Sequence, residues 1–194
     1  ALLTGAEDRA CQFMAAEPGL AAFKVMLGDL LELRPHRLGA DTERVLASLG
    51  EVLNAPYMIY NRSKSSDMQF APFTDGAGTV YANSVNGFES NFETHSDPSV
   101  RRGAWASFSA GLKAYNQTYA ATFATEVNKN VVLARLRRHA STEAFLLQTH
   151  KIPHSVYTHI LDIIQAELAP HMQRYARLRR RVLALDELLY CDIK

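Results

Sequence analysis

Histidine is the residue type in this chain whose spacing bears most on metal chemistry. The sequence contains seven histidines, and a zinc site of the H-E-x-x-H type needs two of them four residues apart on one helix face. His150 and His154 are four residues apart, but Pro153 lies between them and opens a new helix, so they do not share one helix face. His154 and His159 are five residues apart, so this pair does not have the required spacing either. The others lie near predicted helix ends or on polar faces, where capping or solvent exposure accounts for them: His36, His95, His139 and His171. We therefore assign no metal ligand to this chain.

The motifs of nucleophilic catalysis are absent from the sequence as well. There is no G-x-S-x-G segment, and Ser63 directly precedes Lys64 instead of forming the S-x-x-K spacing. Asp186 and Glu187 are adjacent, which indicates the boundary between two elements more than a pair of catalytic carboxylates. The sequence thus predicts no catalytic residue and leaves the substrate-binding residues unknown.

A glycine-rich segment, Asp75-Gly76-Ala77-Gly78, is a candidate phosphate-binding loop. Such a loop leads from a strand into a helix N-terminus and carries Lys with Ser or Thr, and these features are missing here. The segment instead separates two short runs rich in aromatic and β-branched residues, 68–73 and 79–82. This pattern predicts a β-hairpin.

An arginine-rich segment near the end of the chain raises the question of nucleic-acid binding. Its arginines fall between the apolar residues Tyr175, Leu178 and Val182, which predicts a solvated helix face: Arg174, Arg177, Arg179, Arg180 and Arg181. With 21 Lys and Arg against 20 Asp and Glu, the net charge is only +1, so no broad positive field attracts nucleic acid. We expect no nucleic-acid partner; the alternative, binding through residues 135–138 and 174–181, predicts strongly salt-dependent affinity.

Composition indicates the size of the fold and its compartment. With 194 residues and 47% hydrophobic content, residues 1–194 are expected to form one globular domain. No apolar run approaches the roughly 18 residues of a membrane-spanning helix, so no membrane partner is expected. Cys11 and Cys191 form no C-x-x-C motif, which favours a reducing compartment and a cytoplasmic location.

Apolar residues at three- and four-residue steps predict that most of the fold is helical. We predict helices over residues 20–31, 41–53 with Asp41 as N-cap, 57–66 after an interruption at Pro56, and 142–147. A last long helix begins after Pro153 and is expected to bend at Pro170. Its apolar face is predicted to be buried: Val156, Tyr157, Ile160, Leu161, Ile164, Leu168, Met172, Tyr175, Leu178 and Val182.

One further long helix is predicted from Pro98 to about residue 139, with Asp97 or Ser96 at its start. Its stripe of mainly aromatic residues has helical spacing, which indicates a buried face more than a ligand platform: Trp105, Phe108, Leu112, Tyr115, Tyr119, Phe123 and Val127. The predicted fold is therefore mainly α, a multi-helix bundle with long antiparallel helices and one small β-hairpin.

The order of these segments resembles the N-terminal half of oligoendopeptidase F, a bacterial branch of the thimet-oligopeptidase-like zinc metallopeptidases. The resemblance covers residues 20–194, with a shortened hairpin. It rests on six blocks in consistent order and spacing: LLELRPHRL, ERVLASLGEVLNAPYMIYN, HSDPSVRRGAWASF, YNQTYAATFATEVNKNVVLARLRRHAS, IPHSVYTHIL and HMQRYARLRRRVLALDELLYCDI.

The resemblance implies that catalysis belongs to a part of the family that this sequence does not contain. In the family, the last block precedes a catalytic half in which H-E-x-x-H and a further Glu bind zinc and the motif Glu acts as general base. No position here matches those motifs, so Lys194 resembles the end of a fragment. We expect zinc in the full-length parent, none in this chain, and no activity of the chain alone.

The resemblance also implies a role for the helical part. It would form a noncatalytic lobe over residues 1–194 that walls one side of a closed channel, which admits short peptides and excludes folded proteins. Separated from the C-terminal catalytic domain, such a lobe would expose a large apolar patch and self-associate. The alternative is a free-standing helical protein-interaction or scaffold domain without enzymatic activity.

Overall fold

The computed structural model describes residues 12–14 and 16–194 and is dominated by helices. The α-helices are α1 (Lys24–Glu32), α2 (Ala40–Ser48), α3 (Gly50–Arg62), α4 (Pro98–Ala114), α5 (Asn116–Leu136), α6 (Thr142–Thr149) and α7 (His154–Val182). Shorter helical turns occur at Pro18–Phe23, Arg34–His36, Ser63–Asp67, Val85–Gly87, Phe88–Phe92 and Tyr190–Asp192. The strands β1 (Phe73–Thr74) and β2 (Val80–Tyr81) pair antiparallel, with Phe73 opposite Tyr81 and Thr74 opposite Val80. The predicted mainly α fold with a small hairpin is confirmed; Cys11 lies outside the described residues.

The chain divides into two compact units. The first consists of Ala1–Glu51 and Asn130–Leu146, and the second of Val52–Lys129 and Leu147–Lys194. The assignment of residues 1–194 to one domain stays a prediction. Across the described ranges, no helix combines the length and the apolar character needed to cross a bilayer.

The core of the second unit forms where the hairpin and the turn at Phe88–Phe92 pack against α4. Phe73, Phe88, Val100 and Ala104 are buried in one cluster. The rings of Phe88 and Phe108 stack with their centroids 4.2 Å apart. Trp105 and Phe108 are partly buried against this cluster, so the predicted aromatic stripe is core along α4.

A row of small residues on α4 lets the preceding segment approach the helix closely. Gly103, Ser107 and Gly111 recur every four residues and therefore share one helix face. A Cβ added at Gly103 would lie 2.8 Å from Cδ2 of Phe73, and one at Gly111 would collide with the ring of Phe70. Between them, Oγ of Ser107 donates a hydrogen bond to the carbonyl of Ala71 at 2.5 Å. Larger side chains at these three positions of α4 would thus prevent residues 70–73 from packing against the helix.

Asp75 shapes the turn between the two strands. Its Oδ1 accepts hydrogen bonds from the backbone N–H groups of Ala77 at 2.9 Å and Thr79 at 2.8 Å, and its Oδ2 accepts from the hydroxyl of Tyr81 at 3.0 Å. The Thr79 N–H, then the Tyr81 hydroxyl, lower the pKa of Asp75 against the opposing effect of burial. Gly78 has a φ of 89°, which glycine adopts most readily. The glycine-rich segment is thus a hairpin turn, as predicted.

Two predicted features of the second and third helices are wrong. Helix α2 begins at Ala40 with Gly39 at the N-cap position, so Asp41 lies in the first turn instead of capping it. Pro56 does not interrupt a helix; it is buried inside α3, and the break comes at Leu49, where φ is −88° and ψ is 3°. The apolar period runs across this one-residue break, which is why the sequence pattern does not reveal it.

The single helix predicted to run from Pro98 to about residue 139 is two helices, α4 and α5. Asp97 caps the first as predicted, since its Oδ1 accepts from the N–H of Ser99 at 2.7 Å. Tyr115 separates the two helices, because its N–H bonds to the carbonyl of Leu112, three residues back, at 3.1 Å. Phe123 is 71% exposed, so the prediction that the stripe continues as core along α5 is wrong.

Helix α7 continues through Pro170, and the predicted bend there stays a prediction. After the end of α7, the chain forms a 3-10 turn at Tyr190–Asp192. This turn places the carboxylate of Asp192 against α4.

Candidate functional site: a buried ion-pair cluster and exposed apolar faces

Asp192 is completely buried and lies at the centre of an ion-pair cluster in the second unit. Arg101, on α4, is 2% exposed and donates to Asp192 Oδ1 from Nε at 3.0 Å and from Nη2 at 2.7 Å. Arg102 donates from Nη2 to Oδ2 at 3.2 Å, and the backbone N–H of Leu189 reaches the same oxygen at 3.1 Å. Both carboxylate oxygens are therefore occupied by protein donors.

The surroundings of the cluster keep Asp192 ionised. Burial acts to raise the pKa of Asp192, but the hydrogen bonds from Arg101, Leu189 and Arg102 outweigh it and lower that pKa. Arg101 also donates from Nη1 to the carbonyl of His95 at 2.7 Å. In the Arg101–Asp192 pair, Nε, Nη1 and Nη2 of the guanidinium all donate hydrogen bonds, which is the arrangement that offsets the desolvation of a buried ion pair. Nε of Arg102 is buried and has no hydrogen-bond partner.

Two members of the arginine-rich segment hold the residues after α7 in place. Arg179 points its guanidinium at the carbonyl of Asp192, with Nη2 at 3.3 Å, and Arg180 donates from Nε to the carbonyl of Leu185 at 3.2 Å. The prediction that all five arginines form a solvated face is therefore wrong for Arg179, which is half-buried.

Sequence reasoning missed this cluster because its members lie 90 residues apart in the chain. One local signal was present. Arg101 and Arg102 occupy the first turns of α4, where the helix dipole disfavours positive charge. Cations placed there indicate a carboxylate partner elsewhere in the fold.

Four of the seven histidines are exposed on the second unit: His150, His154, His159 and His171. His95 accepts a hydrogen bond at Nδ1 from the N–H of Asp97 at 3.1 Å. In the first unit, His36 and His139 stack with ring centroids 3.7 Å apart, a pairing that the sequence did not predict. Among the described residues, no group of three or more His, Cys, Asp or Glu side chains could hold a metal ion.

The histidine stack lies beside a forked ion pair in the first unit. Arg137 donates from Nη1 and Nη2 to the two carboxylate oxygens of Glu43 at 2.8 and 2.9 Å. The hydrogen bonds from Arg137, then the N–H of Leu38, lower the pKa of Glu43 to about 2. Nδ1 of His36 lies 2.8 Å from the carbonyl of Arg137. Burial first, then the neighbouring His36 and Arg137, lower the pKa of His139.

Helix α7 presents its apolar face to solvent, which corrects the prediction that this face is buried. Every residue predicted to be on that face is between 38% and 69% exposed: Val156, Tyr157, Ile160, Leu161, Ile164, Leu168, Met172, Tyr175, Leu178 and Val182. No residue of α7 is buried. A 29-residue helix with so much apolar surface exposed is unusual for a free monomer and is typical of a contact surface.

A second apolar surface lies between α3 and α5, and we call it the aromatic groove. It is lined by Asn54, Pro56, Tyr57, Tyr60, Tyr119, Thr122, Phe123, Glu126 and Lys129, and its volume is about 540 Å³. Such a volume is within the range of ligand pockets, about 300–1,000 Å³. Neither this groove nor its residues followed from the sequence, because the predicted helix faces were assigned to the core.

Comparison with known proteins identifies relatives with the same order of segments. Residues 2–70 match the family model described as Oligopeptidase F, and residues 92–193 match the one described as Peptidase family M3. The chain is 28% identical over 196 residues to oligopeptidase PepF of Bacillus subtilis, covering 99% of this chain and 28% of that protein. It is 27% identical to group B oligopeptidase PepB of Streptococcus agalactiae, covering 99% and 32%. The chain thus spans about a third of the length of these relatives.

Solved structures share the fold. An oligoendopeptidase F from Enterococcus faecium superposes with a TM-score of 0.87 at 25% identity, covering 98% of this chain and 36% of that one. A peptidase structure from Chlamydophila abortus gives a TM-score of 0.89 at 22% identity, covering 98% and 32%, which shows the shared fold. Since one family model covers residues 92–193, more than half of the sequence, this chain belongs to peptidase family M3 and is oligoendopeptidase F-like.

Proposed function

We propose that this chain is the noncatalytic N-terminal lobe of a cytoplasmic, zinc-dependent oligopeptidase that hydrolyses short peptides inside a closed channel. The observation that carries the proposal is the pair of matches to Oligopeptidase F and Peptidase family M3, which follow one another along residues 2–70 and 92–193. The relatives are oligopeptidases of which this chain spans about a third.

The exposed apolar face of α7 supports the lobe role. In a free-standing domain, apolar residues of a long amphipathic helix are expected to face the core. Here that face lies in solvent along the whole helix. We propose that the catalytic domain of the same enzyme covers part of this surface, and that the chain by itself self-associates through it.

In the proposed enzyme, the ion-pair cluster would have a structural role. Asp192 fixes the residues after α7 against α4 through Arg101 and Arg102. Tyr190 reinforces this attachment, since its ring lies 5.1 Å from that of Trp105. In the proposed enzyme, this attachment would set the direction in which the polypeptide leaves the lobe.

Catalysis is proposed to reside in a C-terminal domain of the parent enzyme, outside residues 1–194. There, an H-E-x-x-H motif and a further Glu would hold zinc, which activates water for attack on the peptide carbonyl. The described residues of this chain would supply a channel wall. On this proposal the chain alone does not cleave peptides, with or without added zinc.

The encoding locus tests the proposal directly. Reading the gene past the codon for Lys194 should give, within a few hundred codons, an H-E-x-x-H motif followed by a further Glu ligand. A stop codon directly after Lys194 would refute the lobe role and leave a free-standing interaction or scaffold domain. As a second test, the purified chain should not cleave an internally quenched peptide in the presence of Zn²⁺; zinc-dependent turnover by this chain would contradict the proposal.

A further inference from the structure

The aromatic groove lies between α3 and α5, and side-chain contacts join the two helices at one of its ends. There the rings of Tyr60 and Tyr119 meet edge to face with centroids 5.4 Å apart, and Oγ of Ser63 donates to the hydroxyl of Tyr119 at 3.1 Å. Towards the start of α3, two neighbouring recesses lie between α3 and α5. Both recesses are bordered by Pro56 and Thr122. The groove is therefore built from well-defined helices and is anchored at one end.

The lining of the groove is rich in aromatic surface that the described fold does not bury. Tyr57 and Phe123 are 59% and 71% exposed, and the ring of Pro56 forms part of the same wall. Aromatic side chains offer a large apolar area at a small entropic cost, which is why they dominate surfaces that bind peptides. Apolar side chains can therefore be buried here on binding.

The charges of the groove favour a neutral occupant. Its two charged side chains, Glu126 and Lys129, pair at 2.5 Å across one turn of α5. Their charges cancel locally, so neither an acidic nor a basic residue of a ligand gains a strong partner. Asn54 adds an amide that can hydrogen-bond to a peptide backbone.

We propose that the aromatic groove binds an aromatic or bulky apolar side chain of an oligopeptide. This inference rests on the proposed function, which makes short peptides the ligand, and adds which residues of the lobe select among them. A volume of about 540 Å³ suits one or two side chains and is too small for a packed helix or domain. Selection would act through apolar burial, worth about 25 cal/mol per Å² of surface removed from water.

Binding of capped peptides to the chain tests this inference. Two N-acetylated, C-amidated heptapeptides that differ only in a central Phe or Ser would be titrated into ¹⁵N-labelled protein and followed by amide chemical shifts. We expect the Phe peptide to bind at least tenfold more tightly and to shift resonances of α3 and α5 around Tyr57 and Phe123. Equal affinities, or shifts confined to other helices, would overturn the inference.

A matched pair of substitutions distinguishes peptide binding in the groove from a general effect of exposed apolar side chains. Phe123→Ser removes an exposed aromatic ring from the groove, whereas Val80→Ser removes a 68% exposed apolar side chain from the hairpin. Since both side chains are exposed, neither change should unfold the protein. Phe123→Ser should raise the Kd of the Phe peptide at least fivefold and Val80→Ser should leave it unchanged; unchanged affinity in Phe123→Ser would refute the groove.

The two proposals can fail separately. If the gene continues into a catalytic domain but the Phe peptide does not bind preferentially, the groove inference fails and the lobe role stands. If the gene stops while preferential binding is observed, the lobe role fails and the groove remains a peptide site. If Phe123→Ser instead abolishes self-association in sedimentation without any effect of the Phe peptide, the groove is a contact between copies of the chain, which overturns the inference.

Discussion

Gly103→Ala should destabilise the second unit, although alanine is the better helix former. Gly103 lies inside α4, where replacing Gly by Ala normally stabilises a helix by about 1 kcal/mol. The added Cβ would lie 2.8 Å from Cδ2 of Phe73 and 3.3 Å from the carbonyl oxygen of Thr74. The ring of Phe73 has little room to move, because it stacks on Tyr81 and meets Phe92 edge to face.

The size of the effect follows from two opposing contributions. Forcing one extra carbon into a well-packed core costs about 1–3 kcal/mol. Phe73 is buried and the second contact is with backbone, so we take the upper part of that range against the gain in helix propensity. The free energy of unfolding should therefore fall by about 1–2 kcal/mol. With a urea slope of about 2 kcal/mol per M, the unfolding midpoint should fall by about 0.5–1 M.

Fluorescence of Trp105, the single tryptophan of the chain, reports urea unfolding of this unit. Ala106→Gly, at an exposed position of the same helix, measures the propensity difference without a clash and should cost about 1 kcal/mol. In a Phe73→Leu background the side chain that clashes is smaller, so Gly103→Ala should cost less stability there. The difference should be at least about 0.5 kcal/mol, the lower end of the interaction energies found for residues in contact. A midpoint that rises in Gly103→Ala, or an identical cost in both backgrounds, would refute the close packing of Phe73 against Gly103.

The ionic contacts lead to three further predictions. Asp192→Asn leaves buried arginine charge without its partner and should lower the free energy of unfolding by about 3–5 kcal/mol, measured by the same urea midpoint. The pKa of Glu43 is lowered to about 2 in the folded protein, so the ionised carboxylate stabilises the folded state fully above pH ~4.3, and this stabilisation is lost as the pH falls towards 2. Glu43→Gln should therefore remove this acid-dependent loss of stability in thermal unfolding. Burial lowers the pKa of His139, so an NMR titration of its ring protons should give a midpoint below ~6.5, with stability lost as the pH falls through this region; a midpoint at or above ~6.5 would contradict the packing.

The elements predicted correctly from the sequence are those whose signals are local. The apolar period of α4, its start at Asp97 and Pro98, and the glycine-rich turn after β1 all depend on residues within a few positions of one another. The helix breaks at Leu49 and Tyr115 were missed because the apolar pattern continues across them. A one-residue departure from helical dihedrals, as at Tyr115 with φ −100° and ψ 6°, scarcely disturbs a 3–4 spacing of apolar residues.

The side chains that meet across the fold were not predicted, because no local pattern connects them. Asp192 and Arg101 lie 91 positions apart, and His36 and His139 still further. Each of these residues has an ordinary explanation when read alone: a terminal acid, a surface cation, histidines near helix ends. Only the packing of the turn at Tyr190–Asp192 against α4 gives the carboxylate its two arginines.

Apolar periodicity predicts which side of a helix avoids water, but it does not say what covers that side. The core prediction held for Trp105 and Phe108, where the hairpin and the turn at Phe88–Phe92 lie over α4. It failed for Phe123 and for the whole face of α7, which have equally regular spacing and no cover within the described residues. Because the same pattern is satisfied in one place and left in solvent in another, the difference lies in the neighbours and not in the helices. This difference agrees with the proposal that another part of the polypeptide covers the remaining apolar surface, which leaves the aromatic groove as the proposed site for peptide side chains.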